Sequence, residues 1–410
     1  MRKIISLILV LLLISSLIAC SQPDSSKTSK NKIKIGMILP GDTSEAFSNS
    51  HIEGIKTAAA EVGFPEENIM YKYDTPEGQP CYDACVDLVE KKCQLIITVG
   101  YEYQEYTKKV AEKFHEVQFI AIAGNTAKLN NLPNFKNAFT KIFESRYITG
   151  IVAGLKLKEL EENGNLTDKN YDSDKHIKIG YVASLPLSEI ISGYSSFYLG
   201  VKSVYKNVVM NVKYTKSWSN EDLEKELADN LLDDGCVILG YHADSLSVPK
   251  TVQEAYENGK TCFCVGCNTD LQTVAKDAGL TTAISNWNVY YQYLIDSVLN
   301  DKDIAVDWAR GYDENAVTIT PLSNSCAKGT QIKIDEAINL IKTNKLHVFD
   351  TKNFTVNQKE VTSAMSTDTT GDNKPDSNEA IFDGYYHESD IDVNQSSPSF
   401  SLIIDGITEN

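Results

Sequence analysis

Apolar runs separated by helical patterns divide the chain into repeated strand–helix units. The first unit is an alternating apolar run at residues 33–39, followed by a helical pattern at 55–62 that Gly63 closes. Residues 94–100 and 118–124 are almost continuously apolar, which is typical of strands in a parallel sheet covered on both faces. Repeated units of this kind predict an α/β protein with a Rossmann-like layer.

The same pattern restarts at residues 177–183, so the sequence predicts a second α/β lobe. A chain of 410 residues exceeds the usual size of one core, which agrees with two lobes. We expect segments near residues 284 and 317 to cross between the lobes. The predicted organisation is then lobe 1 at 33–145 with 284–316, lobe 2 at 146–283 with 317–362, and a tail at 363–410 that packs on lobe 2 and ends in a strand at 400–404.

The first residues have the pattern of an exported lipoprotein. Arg2 and Lys3 precede an apolar stretch that is short for a membrane span and ends at Cys20, an arrangement that resembles the bacterial lipobox. We predict a signal peptide at residues 1–19, a lipid-modified Cys20 and a flexible polar tether through residue 32. The mature protein is then expected on the extracytoplasmic face of the cell membrane.

Composition narrows the possible partners. A formal net charge of −17 argues against nucleic-acid binding, which requires basic patches. Eight cysteines remain after Cys20, and they could be small buried apolar side chains, disulfides or, for the group at 262–267, metal ligands. We expect the first of these and predict no metal or cofactor. Calcium binding by the acidic loop at 368–379 is disfavoured, because its acids are four apart rather than two and Pro375 interrupts the loop, but it stays open as an alternative to a solvated turn.

Polar and aromatic residues follow the predicted strands. In open α/β sheets, ligands bind at the carboxyl ends of strands, so these residues should line a cleft between the lobes. The loop at 40–54 lacks the glycine patterns of phosphate sites, and its ring, amide and acid groups suit a flat polar ligand. The candidate ligand residues are Asp42, Phe47, Asn49, His51, Tyr101, Trp218, His242, Asp244, Asn268, Asp270 and Trp287.

Two alternatives remain open for the rings of this set. Phe47 and Trp287 could stack on a ligand or could be ordinary core residues. Catalysis is disfavoured because the chain has no GxSxG, HExxH or phosphate-loop pattern. His51 and His242 also have no evident nucleophile beside them in the sequence. We therefore predict a binding protein without enzymatic activity.

An ordered set of segments resembles the basic membrane protein family of substrate-binding lipoproteins, which includes purine-nucleoside receptors of ABC transporters. The matching segments are residues 47–54, 144–154, 180–200, 217–218, 242–245, 265–270, 286–288 and 290–291. The sequence departs from the nucleoside-binding branch at Asn268, where that branch has an acidic residue, and near Ser285, where it has a lysine.

The resemblance implies a fold, a ligand class and a partner. The fold is the type I periplasmic-binding-protein fold, with three segments joining two Rossmann-like lobes around a cleft. The ligand is a purine nucleoside, a purine base or another flat molecule, and the partner is an ABC permease served by a monomeric receptor. A lipoprotein that senses or adheres through the same cleft, without transport, is the alternative.

Overall fold

Two sheets, each covered by helices, organise the chain in the computed structural model, which describes residues 33–370 and 374–410. The signal peptide, Cys20 and the tether lie outside the described residues. The first sheet and its helices are formed by β1 (Ile35–Ile38), α1 (Ala46–Val62), β2 (Ile69–Lys72), α2 (Gln79–Glu90), β3 (Leu95–Val99), α3 (Gln104–Ala111), β4 (Gln118–Ile122), α4 (Ala127–Asn130) and β5 (Phe135–Thr140).

The second sheet repeats the arrangement after a long helix. Its elements are α5 (Ile142–Glu162), β6 (Ile177–Ala183), α6 (Ser188–Val204), β7 (Val208–Tyr214), α7 (Glu221–Asp233), β8 (Ile238–His242), α8 (Ser247–Glu257), β9 (Phe263–Cys267) and β10 (Gly279–Ser285). Later elements are α9 (Trp287–Leu299), β11 (Asp307–Arg310), β12 (Val317–Ile319), α10 (Thr330–Lys342), β13 (Met365–Thr367), β14 (Ser377–Glu379), β15 (Ile381–Phe382), β16 (Tyr385–Tyr386) and β17 (Ile407–Glu409).

The strand order confirms the predicted α/β class. The first sheet runs β11-β5-β4-β3-β1-β2 with parallel neighbours, and the second runs β12-β10-β9-β8-β6-β7-β17. In the second sheet β12 pairs antiparallel to β10. All five residues of β3 are buried, which explains its continuous apolar sequence. The carboxyl ends of the parallel strands place their loops along one edge of each sheet.

The chain passes between the two sheets at three places within the described residues. It leaves the first sheet after β5, returns to it with β11, and leaves it again to form β12. Near these crossings Glu144 Oε2 accepts the Tyr312 backbone N–H at 2.8 Å. Burial raises the pKa of Glu144 to about 7. A carboxyl group therefore joins the start of α5 to the segment that connects β11 with β12.

Helix α5 packs against α6 through glycines. A Cβ atom on Gly150 would lie 2.9 Å from the Gly200 Cα atom, and a Cβ atom on Gly200 would overlap the carbonyl group of Tyr147. Glycine is needed here because the two backbones approach more closely than any side chain allows. Most residues of α5 are buried, since this helix lies inside the core rather than on the surface.

The C-terminal tail contacts both lobes. Strand β17 extends the second sheet by pairing in parallel with β7, with Ile407 opposite Met210. The predicted final strand at 400–404 is wrong, because that segment is irregular and the strand begins at Ile407. Phe400 instead stacks on Phe349 with ring centroids 4.1 Å apart.

No helix within residues 33–370 and 374–410 has the length and hydropathy of a membrane span.

Candidate functional site

A hydrogen bond joins the two lobes across the cleft. Trp218, which follows β7, donates its indole N–H to Glu102 Oε1 at 2.9 Å, and Glu102 follows β3 of the other sheet. Both side chains are partly exposed. The lobes are therefore close together here, in an arrangement that a hinge motion would open.

Asp244 is buried within electrostatic reach of carboxyl groups from both lobes. Burial raises the pKa of Asp244 well above its usual range, and the negative charges of Glu45, Glu189, Glu224 and Glu102 raise it further. Glu45 and Glu102 belong to lobe 1, whereas Glu189 belongs to lobe 2. Carboxylate oxygens accept hydrogen bonds but repel anions. The cleft thus favours ligands that offer N–H or O–H donors and disfavours phosphorylated ones.

His242 and Arg146 lie beside these acids. His242 Nε2 is 3.5 Å from Glu189 Oε1, and burial together with the Arg146 charge lowers the pKa of His242 to about 4. Arg146 donates to the Tyr181 hydroxyl at 2.8 Å and to Cys267 Sγ at 3.0 Å. In the described part of the chain, Arg146 Nε and His242 Nδ1 have no hydrogen-bond partner. A neutral imidazole and a buried guanidinium therefore retain hydrogen-bonding capacity.

A cavity opens where the lobes meet the tail. The cavity is small and partly open to solvent. Tyr101 and Asn125 line it from lobe 1, and Ser188 and Glu189 line it from lobe 2. Burial raises the pKa of Tyr101, so its phenol stays neutral and can donate or accept a hydrogen bond.

The loop after β1 is held by its own hydrogen bonds. Asp42 Oδ1 accepts from the backbone N–H of Ser44 at 2.7 Å, and Glu45 caps α1 by accepting from Phe47 N at 2.6 Å. Asn49 lies in the first turn of α1 and is partly exposed. Asp42 and Glu45 therefore support the shape of this loop.

His51 and Trp287 lie in the core. Their side chains are 0% and 2% exposed, and their ring centroids are 4.1 Å apart. His51 Nδ1 is 2.6 Å from the Tyr291 hydroxyl, and Phe47 meets the His51 ring edge-on at 4.8 Å. These contacts hold α1 against α9. The two rings thus pack on each other, while Phe47 stays partly exposed at the edge of this cluster.

The remaining candidates sit beyond β9. Asn268 has a φ of 58°, a left-handed conformation that asparagine tolerates, and its N–H donates to Ala283 O at 3.1 Å. Asp270 is exposed and caps a short turn by accepting from Gln272 N at 3.0 Å.

The eight cysteines of the described chain are free thiols, and all except Cys326 are buried.

Sequence reasoning omitted several residues that the fold brings to the cleft. Glu102 and Glu189 were not selected, although each follows a strand that was placed correctly. Their positions in the loop after β3 and at the start of α6, the helix that follows β6, were the available signal. In the described chain, the group with metal-ligand spacing is Asp172, Asp174 and His176, which lies away from these strand ends.

Comparisons with known proteins place this fold and cleft in a family. The family model described as "ABC transporter substrate-binding protein PnrA-like", named Bmp, matches residues 32–352. A purine-binding protein of Brucella abortus (strain 2308) is 27% identical over 300 residues, which cover 72% of this chain and 77% of that protein.

Solved structures agree on the fold. A solute-binding protein of an ABC transporter system from Aeropyrum pernix K1 superimposes with a TM-score of 0.61 at 16% identity, covering 80% of this chain and 94% of that one. One from Conexibacter woesei DSM 14684 gives a TM-score of 0.59 at 17% identity, covering 77% and 98%. The type I periplasmic-binding-protein fold is therefore confirmed. The chain belongs to the Bmp family of ABC transporter substrate-binding proteins.

Proposed function

We propose that this substrate-binding protein captures a purine base or purine nucleoside outside the cytoplasm and delivers it to an ABC permease. The observation that carries the proposal is a cleft in which the Trp218 and Tyr101 rings accompany the carboxyl groups of Glu102, Glu189 and Asp244. Ring faces stack on flat heterocycles, and carboxylates accept from ring N–H, amino or ribose hydroxyl groups. The similarity to the Brucella purine-binding protein supports the same ligand class.

The acidic cleft predicts selectivity against nucleotides. We expect adenine, guanine, hypoxanthine or their nucleosides to raise the melting temperature, because a ligand that binds the folded state stabilises it by RT ln(1 + [L]/Kd). The corresponding monophosphates should give no shift, since their charge meets the carboxyl groups of Glu45, Glu102 and Glu189 around Asp244. Differential scanning fluorimetry with this panel, and with glucose as a non-aromatic control, makes the comparison.

The panel also separates the competing assignments. Stabilisation by glucose with no response to any purine would remove the purine assignment and leave a sugar receptor. Transport is distinguished from sensing by uptake of the identified ligand in cells with and without this protein. Equal uptake in both strains would favour the sensing or adhesion alternative.

We also propose that Cys20 carries a lipid that anchors the protein to the cell membrane. The support is the sequence of residues 1–20, in which two basic residues are followed by an apolar stretch that ends at Cys20. This segment precedes residue 32, where the family match begins. Cys20→Ala should therefore release the protein or leave an unprocessed precursor, as fractionation and intact mass would detect. Membrane retention at the mature mass in this variant would exclude the anchor. Two or more acyl chains are expected, because one chain binds membranes only weakly.

A further inference from the structure

The tail segment of residues 387–400, here called the strap, is fixed to lobe 2 by a buried carboxyl group. Glu388 Oε1 accepts from the Ser192 hydroxyl of α6 at 2.5 Å. Its Oε2 accepts from the backbone N–H groups of Ser399 at 3.0 Å and Phe400 at 2.9 Å. Glu388 is only 4% exposed, so these bonds form away from solvent. The strap therefore belongs to the folded structure of lobe 2.

The strap also reaches lobe 1. Lys128 Nζ donates to the carbonyl oxygen of Asn394 at 2.8 Å and to that of Ile391. The backbone N–H of Ser396 donates to Asp307 Oδ1 at 3.0 Å. Lys128 lies in the short helix α4, and Asp307 begins β11 in the first sheet. The strap thus bridges the two lobes beside the cleft and must move when they separate.

The strap completes the cavity between the lobes. Gln395 and the residues 397–399 line it together with Tyr101 and Glu189. Gln395 is 5% exposed, and across residues 33–370 and 374–410 nothing hydrogen-bonds to its Oε1 atom. Its Nε2 group donates to Ser397 O at a long 3.4 Å. A buried amide that lines a cavity with an unused acceptor is expected to find a partner in whatever fills that cavity.

We propose that the strap is a third wall of the ligand site and that Gln395 hydrogen-bonds the ligand. This inference rests on the proposed function and adds a further donor–acceptor pair to the carboxyl groups. An ionised carboxylate only accepts hydrogen bonds, whereas the Gln395 amide can donate to one ligand atom and accept from its neighbour. A ligand edge that carries a donor atom next to an acceptor atom, as a purine does, matches the donor and acceptor of this amide. The strap lies beyond residues 32–352, the segment that the family model matches, so the family assignment does not rest on it.

The packing favours a wall over a removable plug. Phe400, at the end of the strap, stacks on Phe349, and β17, which follows the strap in the chain, adds a strand to the second sheet. A plug that competes with the ligand would have to leave the cleft, which would expose these apolar and backbone groups to water. If the strap is a wall, it stays on lobe 2 when the lobes separate, and only its contacts with lobe 1 have to break.

Two point variants, one in the cavity and one at the contact with lobe 1, test this proposal without deleting the tail. Gln395→Met keeps the side-chain length and removes the amide, and we expect purine affinity to fall about tenfold in calorimetry with an unchanged melting temperature. Lys128→Met removes the attachment to lobe 1, and we expect a larger radius of gyration for the ligand-free protein in small-angle scattering. Lys250→Met, an exposed lysine on α8, is the matched control and should change neither quantity.

The outcomes separate this inference from the purine assignment. The wall would be overturned if Gln395→Met bound purines with the affinity of the parent protein. It would also be overturned if Lys128→Met bound purines more tightly than the parent, because that result would mean that a competing plug had been loosened. If no purine binds the parent, the proposed function fails, and the strap is then tested by two measurements that need no purine. These are the radius of gyration of Lys128→Met, and the amount of small molecule that co-purifies with Gln395→Met, which native mass spectrometry detects. An unchanged radius together with an undiminished co-purified ligand would also reject it.

Discussion

Replacing Trp287 by alanine is expected to lower the free energy of unfolding by about 3–5 kcal/mol, the range for deleting a large buried aromatic side chain. The ring is 2% exposed and packs against His51 at 4.1 Å and Phe139 at 6.0 Å. Its removal would leave a cavity between α1 and α9, which surrounding side chains could fill only in part. Chemical denaturation monitored by circular dichroism measures the loss.

Trp218→Ala is the matched variant, because Trp218 is partly exposed and bridges the lobes through Glu102. We expect it to retain most of the stability and to bind the purine roughly 5- to 150-fold more weakly, since stacking contributes about 1–3 kcal/mol. Calorimetry on both variants separates the roles of the two rings. If Trp287→Ala melts like the parent but binds weakly, its ring belongs to the ligand site and the core assignment is wrong.

Gly200→Ala is expected to destabilise the protein by about 3 kcal/mol, although alanine normally favours helices over glycine. The added methyl group would overlap the Tyr147 carbonyl and lie 3.0 Å from the Gly150 Cα atom. Both neighbours are backbone atoms, so relief requires α5 and α6 to move apart along a buried interface. The melting temperature in differential scanning calorimetry should fall by several degrees.

Gly193→Ala provides the control on the same helix. A Cβ atom there would lie 3.2 Å from Arg146 Nε and 3.3 Å from His242 Nδ1, which are side-chain atoms that can shift by a few tenths of an ångström. We expect a stability change within about 1 kcal/mol, partly offset by helix propensity. Equal losses in the two variants would show that backbone contact between α5 and α6 is not the cause.

The placement of the strands could be predicted because their apolar patterns are local. The continuous apolar run that forms β3 follows directly from burial on both faces of the sheet, and β1 is likewise buried along its whole length. The predicted final strand failed for a physical reason. Phe400 is apolar because it packs on Phe349, and such side-chain contacts do not require strand pairing.

The site was predicted less completely than the fold. Tyr101, Trp218, His242 and Asp244 lie at strand ends, and the fold brings them toward the cleft. His51 shares the polar character of these residues, yet it faces inward from α1 and meets the Tyr291 hydroxyl. Sequence pattern gives the chemistry of a side chain but does not distinguish a buried hydrogen bond within a lobe from a ligand contact.

The sequence by itself determined the α/β class, the repetition in two lobes and the edge at which functional residues collect. These properties depend on hydrophobic periodicity and on the rule that parallel strands end together. Only the tertiary structure decided that carboxyl groups from both lobes raise the pKa of Asp244, and that a strap places Gln395 in the cavity that Tyr101 lines. The physical reason is separation along the chain. Gln395 and Tyr101 are far apart in sequence, and only packing of the tail across both lobes brings them to one cavity.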